Sequence, residues 1–60
     1  MDIIKQIKSK NKAIDIINSC KTFEQCSVAE RYIFLYYEMF EDQLGFNELN
    51  RILKKHKLFL

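Results

Sequence analysis

Proline is absent from these 60 residues and glycine occurs once. With so few breakers among many Leu, Ile, Lys and Glu residues, helix is the default conformation. No Asn-Gly or Asp-Gly pair is present to seed a tight β-hairpin. No stretch is long and apolar enough to span a bilayer. The Met-Asp start runs into amphipathic, lysine-rich sequence, with neither the apolar core nor the small-residue cleavage site of a signal peptide. These absences lead us to expect a cytoplasmic protein without membrane association, in which Cys20 and Cys26 are free thiols.

The side chains that carry chemistry are equally sparse. One His and two Cys do not compose a metal site, because the five residues between Cys20 and Cys26 are not the short knuckle spacing of zinc ligands. The cysteines read as two small hydrophobes at a helix corner, and a corner disulfide would require an oxidising compartment. His56 lies on an apolar helix face and reads as a partly buried histidine. Neither cysteine has a histidine beside it in sequence to act as base, and there is no glycine-rich phosphate loop. The expectation is a non-enzyme with no cofactor and no metal.

What the chain does have is apolar surface and charge. Hydrophobic residues make up 48% of it, including five Phe and three Tyr. A domain this small buries only about 60% of the surface its unfolded chain exposes, so an apolar helix interface or a partner subunit has to supply stability. Charge is segregated. Residues 1–21 carry five Lys against Asp2 and Asp15. Residues 22–48 carry Arg31 against five Glu and Asp42. Residues 49–60 carry Arg51, Lys54, Lys55 and Lys57 with no acid. Basic ends flank an acidic middle, either packing internally or offering opposite poles to partners.

Three helices are expected, at 2–19, 23–44 and 48–58. Thr22 and Gln25 have the spacing of a capping box, with Glu24 in the first turn; Ser27 and Glu30 repeat the pattern, so the start can slip. This central helix is expected to end at Leu44, with Gly45 as a left-handed C-cap and Phe46 folding back. Its length would be roughly 33 Å. Asn47 is the candidate N-cap of the last helix, where Leu49, Ile52, Leu53, His56 and Leu60 follow one face. In the first segment Ile3, Ile7, Ile14 and Ile17 share a face if it is one helix, with Lys10 inside that face; a break at residues 9–12, with Asn11 as cap, is the alternative. The fold class is all-α: a three-helix bundle, or a helical hairpin built on a long central helix.

Helical wheels place Ala29, Ile33, Tyr36 and Phe40 on one stripe of the central helix and Val28, Tyr32, Leu35 and Met39 on a second beside it. Together they span roughly 200° of arc, wider than one core-facing stripe. The first stripe is expected to be structural, with the first and last helices covering one stripe each. Phe23 and Phe34 fall outside both, amid Glu30, Glu38 and Glu41, with Tyr37 at the margin. Two aromatics within an acidic rim suit an interaction anchor, so Phe23, Phe34, Tyr37, Glu30 and Glu41 are the candidate partner-binding residues. A second copy of the chain is the simplest partner, because two central helices packed across a two-fold would bury the surplus stripe.

The basic residues give the rival reading. Arg51, Lys54, Lys55 and Lys57 are the candidate nucleic-acid contacts, with Lys5, Lys8, Lys10 and Lys12 as further phosphate ligands. Gly45-Phe46-Asn47 supplies the turn of a helix-turn-helix, and Asn50, Arg51 and Lys54 would then reach bases. Against this, the helix before that turn is long and acidic.

Within residues 19–33, Thr22, Glu24, Gln25, Ala29 and Tyr32 carry the pattern T-x-E-Q-x-x-x-A-x-x-Y. This stretch, about a quarter of the chain, resembles a segment of short uncharacterised helical proteins of Bacteroidetes phages and mobile elements. In size and style the chain also resembles phage-encoded inhibitors of host defence such as anti-CRISPR proteins. The resemblance implies a stoichiometric inhibitor, active in the host cytoplasm, that docks on a larger nuclease or its guide-RNA complex. It assigns no residue a role. The alternative is a small helical DNA-binding regulator.

Overall fold

The computed structural model describes residues 3–60, which form three helices in an up-down-up bundle: α1 (Ile3–Ser19), α2 (Phe23–Phe40) and α3 (Gln43–Lys57). Each helix packs on both others, and the bundle measures 36 × 16 × 14 Å between Cα extremes. There is no strand among the described residues. Asp2, placed at the start of the first helix by sequence, lies outside the described residues. The remainder of that segment is one unbroken helix, without the break at residues 9–12.

The start of α2 follows the capping chemistry written in the sequence. The Thr22 hydroxyl accepts from the Gln25 amide at 3.2 Å, and the Gln25 side-chain oxygen reaches back to accept from the Lys21 amide at 2.6 Å. One of the amides left without an intrahelical partner at the helix start, that of Gln25, is thereby satisfied, and the returning bond ties down the residue before the cap rather than the cap itself.

The end of α2 departs from expectation. The helix stops at Phe40, and Glu41 rather than Gly45 takes the left-handed conformation, φ 50° and ψ 34°, its amide donating to the Tyr37 carbonyl at 2.7 Å. Asp42, not Asn47, is the N-cap of α3, accepting from the Gly45 amide at 3.0 Å. Gly45 therefore lies in the first turn of α3 and is buried. A left-handed Glu costs about 1–2 kcal/mol. Bonds from outside the turn offset that cost: the Asp42 carboxylate also accepts from the Tyr36 hydroxyl at 2.8 Å and from the Gln6 amide at 3.1 Å. Tyr36 is on α2 and Gln6 on α1, so local sequence does not reveal this cap.

Gly45 is required for close approach rather than for a positive φ. A Cβ there would overlap the Asp42 carboxylate, with Cγ at 2.9 Å, and stand 3.1 Å from the Tyr36 hydroxyl. The only side chain that leaves room for this knot is hydrogen.

The core is narrow. It consists of Ala13, Ile17 and Cys20 from the first helix and its end, Cys26, Ala29, Ile33 and Tyr36 from α2, and Leu49 and Leu53 from α3. Four of these nine are Ala or Cys, which lets the helices approach closely. Ile33 and Tyr36 are buried as expected. Phe40 is only half-buried, packing its ring 5.2 Å from that of Tyr36. It lies at the lower end of the bundle, where the core gives way to the polar Asp42 knot. For the same reason Ile3 and Ile7, expected on the core face of α1, are exposed; Gln6, Lys10, Ala13 and Ile17 form that face instead. Ile14 packs at its edge, as does Ile52 on α3. Leu60, expected on the inward face of the last helix, lies beyond its end and is exposed.

The second stripe of α2 is not covered. Val28, Leu35 and Met39 are exposed and Tyr32 is half-buried. The reason is geometric. Three helices in mutual contact occupy the corners of a triangle, so each meets its two neighbours only about 60° apart. Both α1 and α3 therefore pack on the Ala29–Ile33–Tyr36 stripe, and neither reaches around to the other one.

Candidate docking surface

The outward half of α2 presents two apolar patches separated by a charged strip. Phe23, 64% exposed, and Phe34, 54% exposed, flank the α3 side. Val28, Leu35 and Met39, at 65%, 47% and 58%, flank the α1 side. Their spacing, with Tyr32 between, repeats at i, i+4, i+7 and i+11, so they form a continuous line along about 16 Å of helix. By helical register Glu24, Arg31 and Glu38 lie between the patches, and all three are exposed.

The structure splits the proposed partner-binding set. Phe23 and Phe34 stand free. Tyr37 does not join them: it is half-buried, its ring 4.9 Å from that of Phe46 on α3. Glu30 is exposed but engaged, accepting from Lys57 Nζ at 2.6 Å. Glu41 is the left-handed cap residue between α2 and α3.

The nucleic-acid set divides as well. Arg51, Lys54 and Lys55 are exposed on the outer face of α3 and make no ion pair among the described residues. Lys57 is half-buried beside Glu30, whose hydrogen bond raises its pKa. Lys10 is likewise held by Glu48 at 2.6 Å, and that hydrogen bond raises its pKa against a smaller desolvation effect. One candidate from each rival set, Glu30 and Lys57, thus binds the other. The charge segregation is in part internal, with basic ends clasping the acidic middle. The helix-turn-helix turn expected at Gly45-Phe46-Asn47 is absent, because those residues are already helical. The helices α2 and α3 lie side by side, tied by Tyr37–Phe46 at one end and Glu30–Lys57 at the other, so α3 does not project as a separate recognition helix.

Between α1 and α2 runs an open groove of about 400 Å³ lined by Ile4, Lys5, Lys8, Ser9, Lys12 and Tyr32. The lysines recur at i, i+3 and i+7, which aligns them along one flank of α1. Sequence reading found these lysines and the Val28–Met39 line separately, one as scattered phosphate ligands and the other as core. Only the packing of α1 against α2 brings those lysines beside Tyr32 of that line. The repeat itself was visible; its direction was not.

The groups with latent reactivity are used structurally. Both cysteines are buried free thiols. The Cys20 thiol donates to the carbonyls of Ile16 at 3.1 Å and Gln25 at 3.4 Å, and burial, with a smaller effect of Cys26, pushes its pKa up. That is the opposite of the shift an activated thiol shows. His56 Nε2 lies 2.6 Å from the Cys20 carbonyl oxygen, so as the donor tautomer it bonds backbone rather than sulfur. Among the described residues no three His, Cys, Asp or Glu side chains gather as metal ligands, and no helix is long and apolar enough to cross a membrane. No family model, curated protein or solved structure matches this sequence.

Proposed function

We propose that this chain is a non-catalytic docking domain that binds another protein through the uncovered outer half of α2. The observation that carries the reading is the exposure, on one helix, of Phe23, Val28, Phe34, Leu35 and Met39 together. Scattered apolar side chains on a surface are ordinary, but five along one helix face, with charges between and around them, have the composition of an interface core with a polar rim. The domain buries little apolar volume of its own, and a partner covering α2 would add what a chain of this size lacks.

The finer form of the proposal is a phage-encoded inhibitor of host defence, anti-CRISPR-like, docking on a larger nuclease or its guide-RNA complex in the cytoplasm. It rests on the resemblance of residues 19–33 and adds the choice of target. The second reading, a DNA-binding regulator, keeps one observation in its favour: Arg51, Lys54 and Lys55 share the open face of α3.

The test is capture of the tagged protein's target from its native host, with nuclease treatment in one arm. Binding is then compared for Phe23→Ala with Phe34→Ala, for Leu35→Ser with Met39→Ser, and for Arg51→Glu with Lys54→Glu, at two salt concentrations. Loss of an aromatic anchor at an interface costs at least ~2 kcal/mol of binding. A nuclease-resistant target weakened by either apolar pair at both salts supports the docking reading. If only the charge reversals weaken binding, and added salt reproduces them, the reading gives way to nucleic-acid binding.

A further inference from the structure

We infer that Cys20 and Cys26 form a reversible redox latch: a low-molecular-weight disulfide, entering the cavity beside Cys20, drives the two thiols into an intramolecular disulfide that ties the end of α1 to the first turn of α2. The latch does not depend on what α2 binds.

Three observations carry it. The first is placement. Cys20 directly follows the last residue of α1, and Cys26 lies in the first turn of α2. Both are buried free thiols in the same core cluster. The second is orientation. The Cys20 thiol donates to the Ile16 carbonyl of its own helix at 3.1 Å and to the carbonyl of Gln25, the residue before Cys26, at 3.4 Å. Its sulfur is therefore already set against α2, and the Cys26 thiol stands within hydrogen-bond reach of it. The third is unequal access. An open cavity of about 240 Å³ at the corner of α1 and α2 is lined by Ile16, Ser19, Cys20, Gln25 and Val28. Cys20 forms part of its wall, whereas Cys26 is fully buried and does not. An oxidant in the cavity meets Cys20 first, and Cys26 stands behind as the resolving thiol.

The chemistry is two thiol–disulfide exchanges. Cys20 loses its proton and its sulfur attacks one sulfur of the oxidant; that disulfide breaks and one thiolate leaves, taking up a proton. Cys26 then loses its proton and attacks Cys20 Sγ; the mixed disulfide breaks and the second thiol leaves. Two protons and two electrons pass from the cysteine pair to the oxidant, which ends as two thiols. Burial raises the Cys20 pKa, so little thiolate is present at neutral pH and the first exchange is slow. The latch answers sustained oxidation rather than a brief pulse. Closing it removes the Cys20 donor without stranding the Ile16 carbonyl, which keeps the Ser19 hydroxyl at 2.8 Å.

The test uses the full chain with oxidised glutathione as the probe. Reduced protein is incubated with an excess in native buffer and quenched in acid, and the masses of the intact chain and its tryptic peptides are followed. The expected product is lighter than the reduced chain by two hydrogens. Trypsin cuts after Lys21, between the two cysteines, so their peptides should remain joined until a reductant is added. Cys26→Ala should stop with one glutathione on Cys20, and Cys20→Ala should stay unmodified while folded. The oxidised chain should melt above the reduced one, by up to about 10–20 °C for a loop this short.

The inference is overturned if the parent chain stops at the mixed disulfide, gives only cross-linked dimers, or reacts only in urea that unfolds it. An oxidised form that melts no higher than the reduced one overturns it as well. Should the alanine variants fail to fold, iodoacetamide labelling of the reduced parent chain decides the order. Cys20 labelled ahead of Cys26 supports the latch; equal rates, or Cys26 first, overturn it.

Discussion

Replacing Gly45 with Ala should destabilise the protein, although the residue lies in a helix. Alanine is favoured over glycine in a helix interior by about 1 kcal/mol, so the default expectation for Gly45→Ala is a gain. Here the added Cβ would meet the Asp42 carboxylate inside van der Waals distance and press on the Tyr36 hydroxyl at 3.1 Å. Asp42 is short and can swing away, but doing so breaks what it holds. The α3 N-cap to the Gly45 amide is lost, a change worth typically ~1 kcal/mol. The Tyr36 hydroxyl, on a side chain 2% exposed, loses its acceptor, and a buried donor left unpaired costs about 1–3 kcal/mol. Against the propensity gain the net is a loss of about 1–3 kcal/mol, and in a domain of this size each kcal/mol moves Tm by about 4–8 °C. Thermal melts followed by far-ultraviolet circular dichroism should therefore show Gly45→Ala melting about 4–24 °C below the parent. The sign should relax in a second background. Once Asp42→Ala has removed the carboxylate, adding Gly45→Ala should be neutral or stabilising, which a double-mutant cycle reads directly. A Gly45→Ala variant that melts at or above the parent temperature would show that the Asp42–Tyr36–Gly45 knot does not hold the fold together.

Two further expectations concern the same turn. Glu41→Gly should raise Tm, because glycine adopts the left-handed backbone at φ 50° without the roughly 1–2 kcal/mol that an L side chain costs there; part of that gain is returned through the greater freedom of the unfolded chain, and a lowered Tm would refute the assignment of strain to Glu41. The Asp42 carboxyl is held below the usual carboxylate range by the Gly45 amide first, then by the Tyr36 hydroxyl, with Gln6 and Lys10 adding smaller effects against desolvation. A depressed folded pKa contributes stability that is fully present above the unfolded value, near 3.9, and is lost as pH falls through the folded value. The urea midpoint should accordingly fall as pH drops below about 4, and Asp42→Asn, which keeps an N-cap side chain, should flatten that decline; an unchanged acid profile in the variant would remove Asp42 from the account.

Helix content, the Thr22 cap and the inward stripe of α2 were determined by the sequence, because each depends on residues within one or two turns of one another. Periodicity of 3.6 residues places Ala29, Ile33 and Tyr36 on one line, and a hydroxyl three residues ahead of an amide caps a helix in any surroundings. What only the tertiary structure decided is where α2 ends, and which of its two apolar lines is covered. The turn formed at Glu41 and Asp42 because Tyr36 and Gln6 reach Asp42 from two other places in the bundle, contacts with no local signature. Local sequence instead favoured Gly45, whose true constraint is the space that those same contacts occupy. The helical repeat reported two equally good lines on α2 without saying how many neighbours would come. A triangle of three helices can cover only one of them. Tyr32 of the second line and the lysines of α1 came to line one groove through that packing, and the Glu30–Lys57 pair withdrew two residues that charge alone had offered to partners.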